Sequence, residues 1–292
     1  MKDYIVRATA EGSTVRAVAA VTTNLVREAQ TIHNLSPVAS AALGRTMTAA
    51  ALMSTFLKGS KDTITIQVKG DGPLGGIVVI SDSDSNIRGY VNNPQIYLPL
   101  NEIGKLDVAT AVGRNGYLNV IKDLGLKEPY IGYVDLLSGE IGEDIAYYYA
   151  YSEQIPSVVA LGVLVDKNET ILNSGGFLIQ LMPGAGEDVV SKIEEKTAAL
   201  QPITTLLRNG KTPEDILGMI FDEKSLKLGE KTECQYQCNC SRERMERNIM
   251  SLGRSEIKSM ADEMHGAQTQ CHFCNMKYQF SEDDLLSMLR DE

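Results

Sequence analysis

Ser36-Pro37-Val38-Ala39-Ser40-Ala41-Ala42-Leu43-Gly44-Arg45-Thr46-Met47-Thr48-Ala49-Ala50-Ala51-Leu52-Met53-Ser54-Thr55-Phe56-Leu57-Lys58-Gly59 reads as one helix with almost no polar face. Ser36 is a good N-cap and Pro37 suits the first helical position. From Ala39 to Leu57 the run is rich in Ala, Leu, Met and Phe. Lys58 is placed in the last turn, and Gly59 supplies the stop. A helix apolar on most faces is expected to be buried. Arg45, Ser40, Thr46, Thr48 and Ser54 argue against a membrane span.

On the N-terminal side, Tyr4 to Thr9 and Thr14 to Ala20 read as two strands joined by Glu11-Gly12-Ser13, and Thr22 to His33 reads as a helix. On the C-terminal side the text is mostly strands. Ile64 to Val68 alternates and Ile77 to Ile80 is a short buried run. Tyr117 to Ile121, Tyr130 to Leu136, Val158 to Val165 and Gly176 to Leu181 follow, with a helix expected over Glu143 to Glu153. The expectation is an α+β protein whose large mixed α/β core domain covers residues 1–181.

The breaker cluster Met182-Pro183-Gly184-Ala185-Gly186 ends that core. Glu187 to Leu200 carries Val189, Val190, Ile193, Thr197 and Leu200 on one helical face, and a second helix starts at Thr212-Pro213. Residues 182–230 are therefore expected to be a helical connector whose apolar stripes must lie against something. Residues 231–292 form a small C-terminal domain with modest apolar content, and a segment that short needs a staple.

Four cysteines offer one. Cys238-Asn239-Cys240 and Cys271-His272-Phe273-Cys274 are two tight pairs, separated by 30 residues. A C-x-C with a later C-x-x-C can present four sulfurs to one tetrahedral Zn²⁺. Such a site contributes about 10–16 kcal/mol of apparent binding free energy at neutral pH. The same closeness lets each pair close as a disulfide, and a bond across C-x-C is strained and readily reduced. The residues alone leave a static staple and a reversible sensor both open. Cys234, four residues before Cys238, is the spare thiol: an alternate ligand, a disulfide-prone residue or, on the plainest reading, an uninvolved surface cysteine. His265 and His272 could replace a sulfur, but four thiolates already fill a tetrahedron.

Other features carry less. The chain has 292 residues, 43% of them hydrophobic, and a net charge of -10, which disfavours a nucleic-acid backbone as main partner. Met1 to Arg7 has no long apolar core, so no signal peptide is read, and no run is long enough to span a bilayer. A cytoplasmic location is expected, where thiols stay reduced. Gly70-Asp71-Gly72-Pro73-Leu74-Gly75 matches G-x-G-x-x-G, but the next stretch reads as a strand, so a hairpin turn is expected rather than a dinucleotide site. Glu140, Glu143 and Asp144 suit a helix N-terminus. His33 has no nucleophile motif beside it and reads as a core or interface residue. Arg242, Arg244, Arg247 and Arg254, interspersed with glutamates, read as a solvated helix surface. No catalytic constellation is found, and the protein is expected not to be an enzyme.

The cysteine segment, with Ser241-Arg242-Glu243-Arg244 after the first pair and Asn275-Met276-Lys277-Tyr278-Gln279-Phe280 after the second, resembles the zinc domain of the heat shock protein 33 family. These are redox-regulated holdase chaperones, also called 33 kDa chaperonins. Ser36 to Arg45, Gly113 to Leu118, Ser138 to Tyr149, Ser152 to Ser157 and Gly175 to Gly184 fit the same family, so the resemblance spans the chain. It implies one Zn²⁺ held by Cys238, Cys240, Cys271 and Cys274 in a reduced, inactive state. It further implies that oxidants convert these to the disulfides Cys238–Cys240 and Cys271–Cys274, with zinc release, unfolding of the C-terminal region, and assembly of an active homodimer. That form would bind unfolding client proteins without ATP. The contrasting readings are a zinc-dependent nucleic-acid-binding or regulatory protein, which the acidic charge opposes, and an enzyme with zinc as support.

Overall fold

The N-terminal hairpin forms as read: β1 (Tyr4–Ala10) and β2 (Val15–Val21) pair antiparallel. The computed structural model describes residues 2–289; Met1 and residues 290–292, which the expected first and last segments include, lie outside the described residues. The chain continues through α1 (Thr23–His33), α2 (Pro37–Ser54), β3 (Thr63–Lys69), β4 (Ile77–Asp82), β5 (Asn86–Val91), α3 (Val108–Val112), β6 (Tyr117–Asp123), β7 (Tyr130–Asp135), α4 (Gly142–Tyr151), β8 (Ser157–Val165) and β9 (Ile171–Leu181). Then come α5 (Glu187–Ala198), α6 (Ile203–Arg208), α7 (Pro213–Ile220), β10 (Lys227–Glu233) and the short β11 (Gln235–Tyr236).

Two sheets result, ordered β10-β1-β2-β9-β8 and β11-β5-β4-β3-β6-β7. Every pairing is antiparallel except β11 with β5. The helix α2 packs against strands of both sheets, which is why it needs no polar face. A Cβ at Gly44 would stand 2.6 Å from Val26 and 2.8 Å from Val163, so this close approach requires the bare glycine. The alternation read in β3 is observed, with Ile64, Ile66 and Val68 facing the core.

The ends of α2 differ from expectation. The helix stops at Ser54, short of Leu57. Ser54 and Thr55 turn their hydroxyls onto the carbonyls of Ala51 and Leu52, at 2.9 and 2.7 Å, and so satisfy the last turn locally. Lys58 and Gly59 instead donate their N–H groups to the Asp62 carboxylate in the following turn. At the other end, Ser36 holds the N-cap position, but its hydroxyl makes no hydrogen bond to the helix.

Asp3 organises the start of α1. Its buried carboxylate accepts from the Leu25 N–H at 2.7 Å and from the Asn24 amide at 3.1 Å. Burial outweighs these bonds and lifts its carboxyl to about 6. A carboxyl raised above its unfolded value favours the folded protein most when protonated. Stability is therefore expected to fall as pH rises from about 4 to about 6, by roughly 3 kcal/mol for this group. Urea unfolding across that window should show a shallower fall for Asp3→Asn; identical slopes would remove Asp3 as the cause.

The connector stripes find their partner within the same body. Ile193, Ile203, Leu206, Ile216, Leu217, Ile220 and Phe221 are buried against Val6, Val15, Ala17, Ala19, Phe177 and Ile179 of the first sheet. The sequence gives no sign of helix α6, because six residues show too little of a helical period. Nor does it show β10: Lys-Leu-Gly-Glu-Lys-Thr-Glu has no apolar alternation, and main-chain pairing with β1 places it. By packing, the chain divides into one unit through Gln237 and a second from Cys238. The expected boundary after residue 230 thus falls inside β10, because β10 and β11 are hydrogen-bonded to β1 and β5.

The second unit contains α8 (Arg242–Met250), α9 (Arg254–Met264), the hairpin of β12 (Gly266–Gln270) and β13 (Lys277–Ser281), and α10 (Glu282–Met288). Its core is small: Ile249, Ile257, Ala261, Phe280, Leu285 and Met288. No described helix is long and apolar enough to cross a membrane.

Candidate metal centre

The hairpin of the second unit carries one cysteine pair at its tip. Cys271 donates its N–H to Met276 O at 2.9 Å, and Asn275 donates to Cys271 O at 2.8 Å. Asn275 closes the turn in the left-handed region, with φ 59°, which Asn tolerates. The other pair immediately precedes α8, whose N-cap Ser241 accepts from the Arg244 N–H at 3.3 Å. This brings all four sulfurs within 4.8 Å of one another. Cys238 and Cys271 lie 3.7 Å apart, and Cys240 and Cys274 lie 3.3 Å apart. Four sulfurs at about 2.3 Å from a tetrahedral zinc would stand about 3.8 Å from each other. The donor set and spacing fit that ion. Cys271 is buried and the other three are half-buried.

The electrostatics point the same way. Burial pushes the Cys238 thiol up to about 11 and raises Cys274 further. Burial also opposes ionisation of Cys240, but the Tyr278 hydroxyl, donating at 3.1 Å, and the neighbouring thiols outweigh it and bring that thiol below its ordinary value. The bond to Cys240 in turn holds the Tyr278 phenol up at about 12. Crowded thiols of this kind shed their protons together only when a cation replaces them, so metal uptake must release protons.

Arg242 clasps the unit around this centre. It donates to Gln279 O at 2.7 Å and to the Asp284 carboxylate at 2.9 Å, and its guanidinium lies 4.4 Å from the Phe280 ring centre. The reading of this arginine as merely solvated surface is corrected, since its partners lie 37 to 42 residues away. Tyr278 was also missed as part of the centre. Its signals are its place four residues after Cys274 and its position in the segment that resembles the zinc domain.

The remaining candidates lie elsewhere. Cys234 is outside the four-sulfur group and is buried, not a surface cysteine. It sits between β10 and β11, and its thiol lies 3.9 Å from Val21 O. Burial pushes its ionisation far up. The sequence could not place it while those two strands went unread. Among the described residues, the metal-holding group contains no histidine; His265 meets Glu282 instead, at 3.0 Å. Gly70 to Gly75 connect β3 to β4, as the hairpin reading required. Asp144 is buried at the start of α4 and accepts from the N–H groups of Leu137, Ser138 and Ile141, at 2.8, 3.0 and 2.9 Å. Glu140 pairs with Arg45. His33 is half-buried, 3.2 Å from the Tyr236 hydroxyl.

Comparison with known proteins yields a family-model match described as Hsp33 protein over residues 3–281. A 33 kDa chaperonin of Acetivibrio thermocellus is 63% identical over 290 residues, 99% of this chain and 98% of the relative. One from Ruminiclostridium cellulolyticum is 54% identical over 291 residues, 100% and 99% of the two chains. The crystal structure of the 33 kDa chaperonin from Thermotoga maritima superposes with a TM-score of 0.92 at 38% identity, covering 100% of this chain and 99% of the other.

Proposed function

Because this chain belongs to the Hsp33 family, we propose that it is a redox-regulated, ATP-independent holdase chaperone of the cytoplasm, without catalytic turnover. The observation that carries this reading is the group of four sulfurs within 4.8 Å, in a unit whose apolar core, among the described residues, is six buried side chains. When bound, Zn²⁺ supplies a cross-link that neutralises the thiolates and ties the hairpin tip to the start of α8. Cys238, Cys240, Cys271 and Cys274 are its ligands, one ion per chain. The three segments then act in order: the core 1–181 stays folded, the connector 182–230 is the part released, and, of the segment 231–292 read from the sequence, the unit from Cys238 onward senses the oxidant.

Oxidation joins Cys238 to Cys240 and Cys271 to Cys274. Each new S–S bond takes two electrons from two thiolates; with two protons drawn from water these reduce one hydrogen peroxide to two waters, and the Zn²⁺ that the thiolates held is released. In the folded unit the nearest sulfurs belong to opposite pairs, at 3.7 and 3.3 Å. Once the unit opens, closing a loop across one or two residues costs far less than closing one across thirty. Peptide mapping after peroxide is therefore expected to find the two neighbour bonds as main products. A dominant Cys238–Cys271 bond would show oxidation within the folded unit, and a Cys234–Cys238 bond would show that the extra thiol has been drawn in. The released chain assembles as a homodimer and binds unfolding client proteins.

Light scattering from a heat-unfolded client tests the function. Peroxide-treated protein should suppress aggregation with or without ATP, while reduced, zinc-loaded protein should not. Equal suppression by both forms would end the redox reading, and suppression by neither would end the chaperone reading. Tight, salt-dependent binding of DNA or RNA without either would instead favour a nucleic-acid role.

A further inference from the structure

A cavity of about 320 Å³ opens in the first unit, past the C-terminal end of α2. It is walled by Met53, Phe56, Leu57, Ile64 and Leu124, and it is set with polar groups from β2, β6 and α4. None of these residues belongs to the four-cysteine group.

Two hydrogen-bond donors line this cavity without an acceptor to match. Arg16 spends its Nε on the Gln180 side-chain oxygen, at 2.6 Å, and its guanidinium lies 4.1 Å from the Phe56 ring centre. No described carboxylate forms an ion pair with it; the Glu153 carboxylate acts on it only through space. The other donor is Tyr149, which is only 3% exposed and packs edge-on against Tyr148. Its hydroxyl makes no hydrogen bond to a described residue, and burial keeps it protonated. Both donor groups face the open cavity rather than sealed protein, so a ligand that supplies the acceptor there takes the place of water.

The cavity's own carboxylates are already engaged. Asp62 accepts the N–H groups of Lys58 and Gly59, and Glu153 is held by Lys122, at 2.7 Å, and by the Tyr148 hydroxyl. Lys58, Lys122 and Arg16 against Asp62 and Glu153 leave one positive charge over, which suits a monoanion. A carboxylate accepts from a guanidinium fork and a phenol at once. The volume lies at the low end of the roughly 300–1,000 Å³ typical of small-molecule sites, so the ligand must be small. We propose that this cavity binds a small monocarboxylate with an apolar body, its carboxylate on Arg16 and the Tyr149 hydroxyl and its body against Met53, Phe56 and Leu124.

The test uses 3-phenylpropionate and the full-length, reduced, zinc-loaded protein in isothermal titration calorimetry. Saturable binding at one site per chain is expected, with the neutral amide of the same acid at least about tenfold weaker. Tyr149→Phe keeps the ring and should weaken the acid several-fold; Arg16→Gln should abolish binding, with melting curves checking that both variants fold. Inorganic phosphate should not displace the acid. The proposal is overturned if the amide binds as tightly as the acid, if Tyr149→Phe leaves affinity unchanged, if phosphate displaces the acid, or if no saturation is reached by about 10 mM.

Discussion

Cys271→Ser is expected to abolish stoichiometric zinc binding and to unfold the second unit, whereas Cys234→Ser should keep one zinc per chain. The two thiols differ in place, not in chemistry. Cys271 is buried in the four-sulfur group, 3.7 Å from Cys238, while Cys234 lies in the core of the first unit. Structural zinc contributes about 10–16 kcal/mol of apparent binding free energy, more than a whole small domain normally has in reserve. The core of Ile249, Ile257, Ala261, Phe280, Leu285 and Met288 offers little to replace it. Metal analysis alongside the NMR dispersion of the second unit measures both effects. Cys234→Ser should instead cost only the stability of one small buried side chain. Equal zinc loss in the two variants would overturn the ligand assignment.

The second large effect is on hydrogen exchange. Oxidation under mild heat should raise exchange across residues 182–289, while α2 and the strands around it stay protected. The reason lies in what covers the connector. Ile193, Ile203, Leu206, Ile216, Leu217, Ile220 and Phe221 are buried on the first sheet. At roughly 1.5–3 kcal/mol per side chain, their burial is worth on the order of 10–20 kcal/mol before chain entropy is set against it. Loss of the metal alone acts on the second unit and leaves those contacts in place. Peroxide in the cold should therefore open residues 238–289 first, and the connector only as temperature weakens its docking. Its lifting would bare two apolar surfaces together: the helical stripes and the sheet face of Val6, Val15, Ala17 and Phe177. Client binding should rise with exchange in the connector rather than with zinc release. If full holdase activity appeared while residues 182–230 stayed protected, release of the connector would be the wrong mechanism.

Much of this was legible in the residues. The apolar run from Ala39 to Leu57 demanded burial, the alternation at Ile64, Ile66 and Val68 gave a strand, and the C-x-C and C-x-x-C pairs gave a four-sulfur site. Each signal is local, because propensity, period and ligand spacing are properties of a few consecutive residues. What stayed hidden depends on partners far along the chain. The strand β10 is charged and without alternation, and becomes a strand only because the main chain of β1 lies beside it. Cys234 is buried only because β10 and β11 join different sheets, and a thiol carries no mark of that in its neighbours. Tyr278 meets Cys240 from 38 residues away, Arg242 meets Gln279 and Asp284 from 37 and 42 residues away, and Arg16 and Tyr149 meet at one cavity from distant points of the first unit's sequence. Sequence alone therefore determined which segments must be buried and which sulfurs can share an ion. Tertiary packing determined what those segments are buried against, because a hydrophobic face specifies only that it must leave water, not which surface receives it.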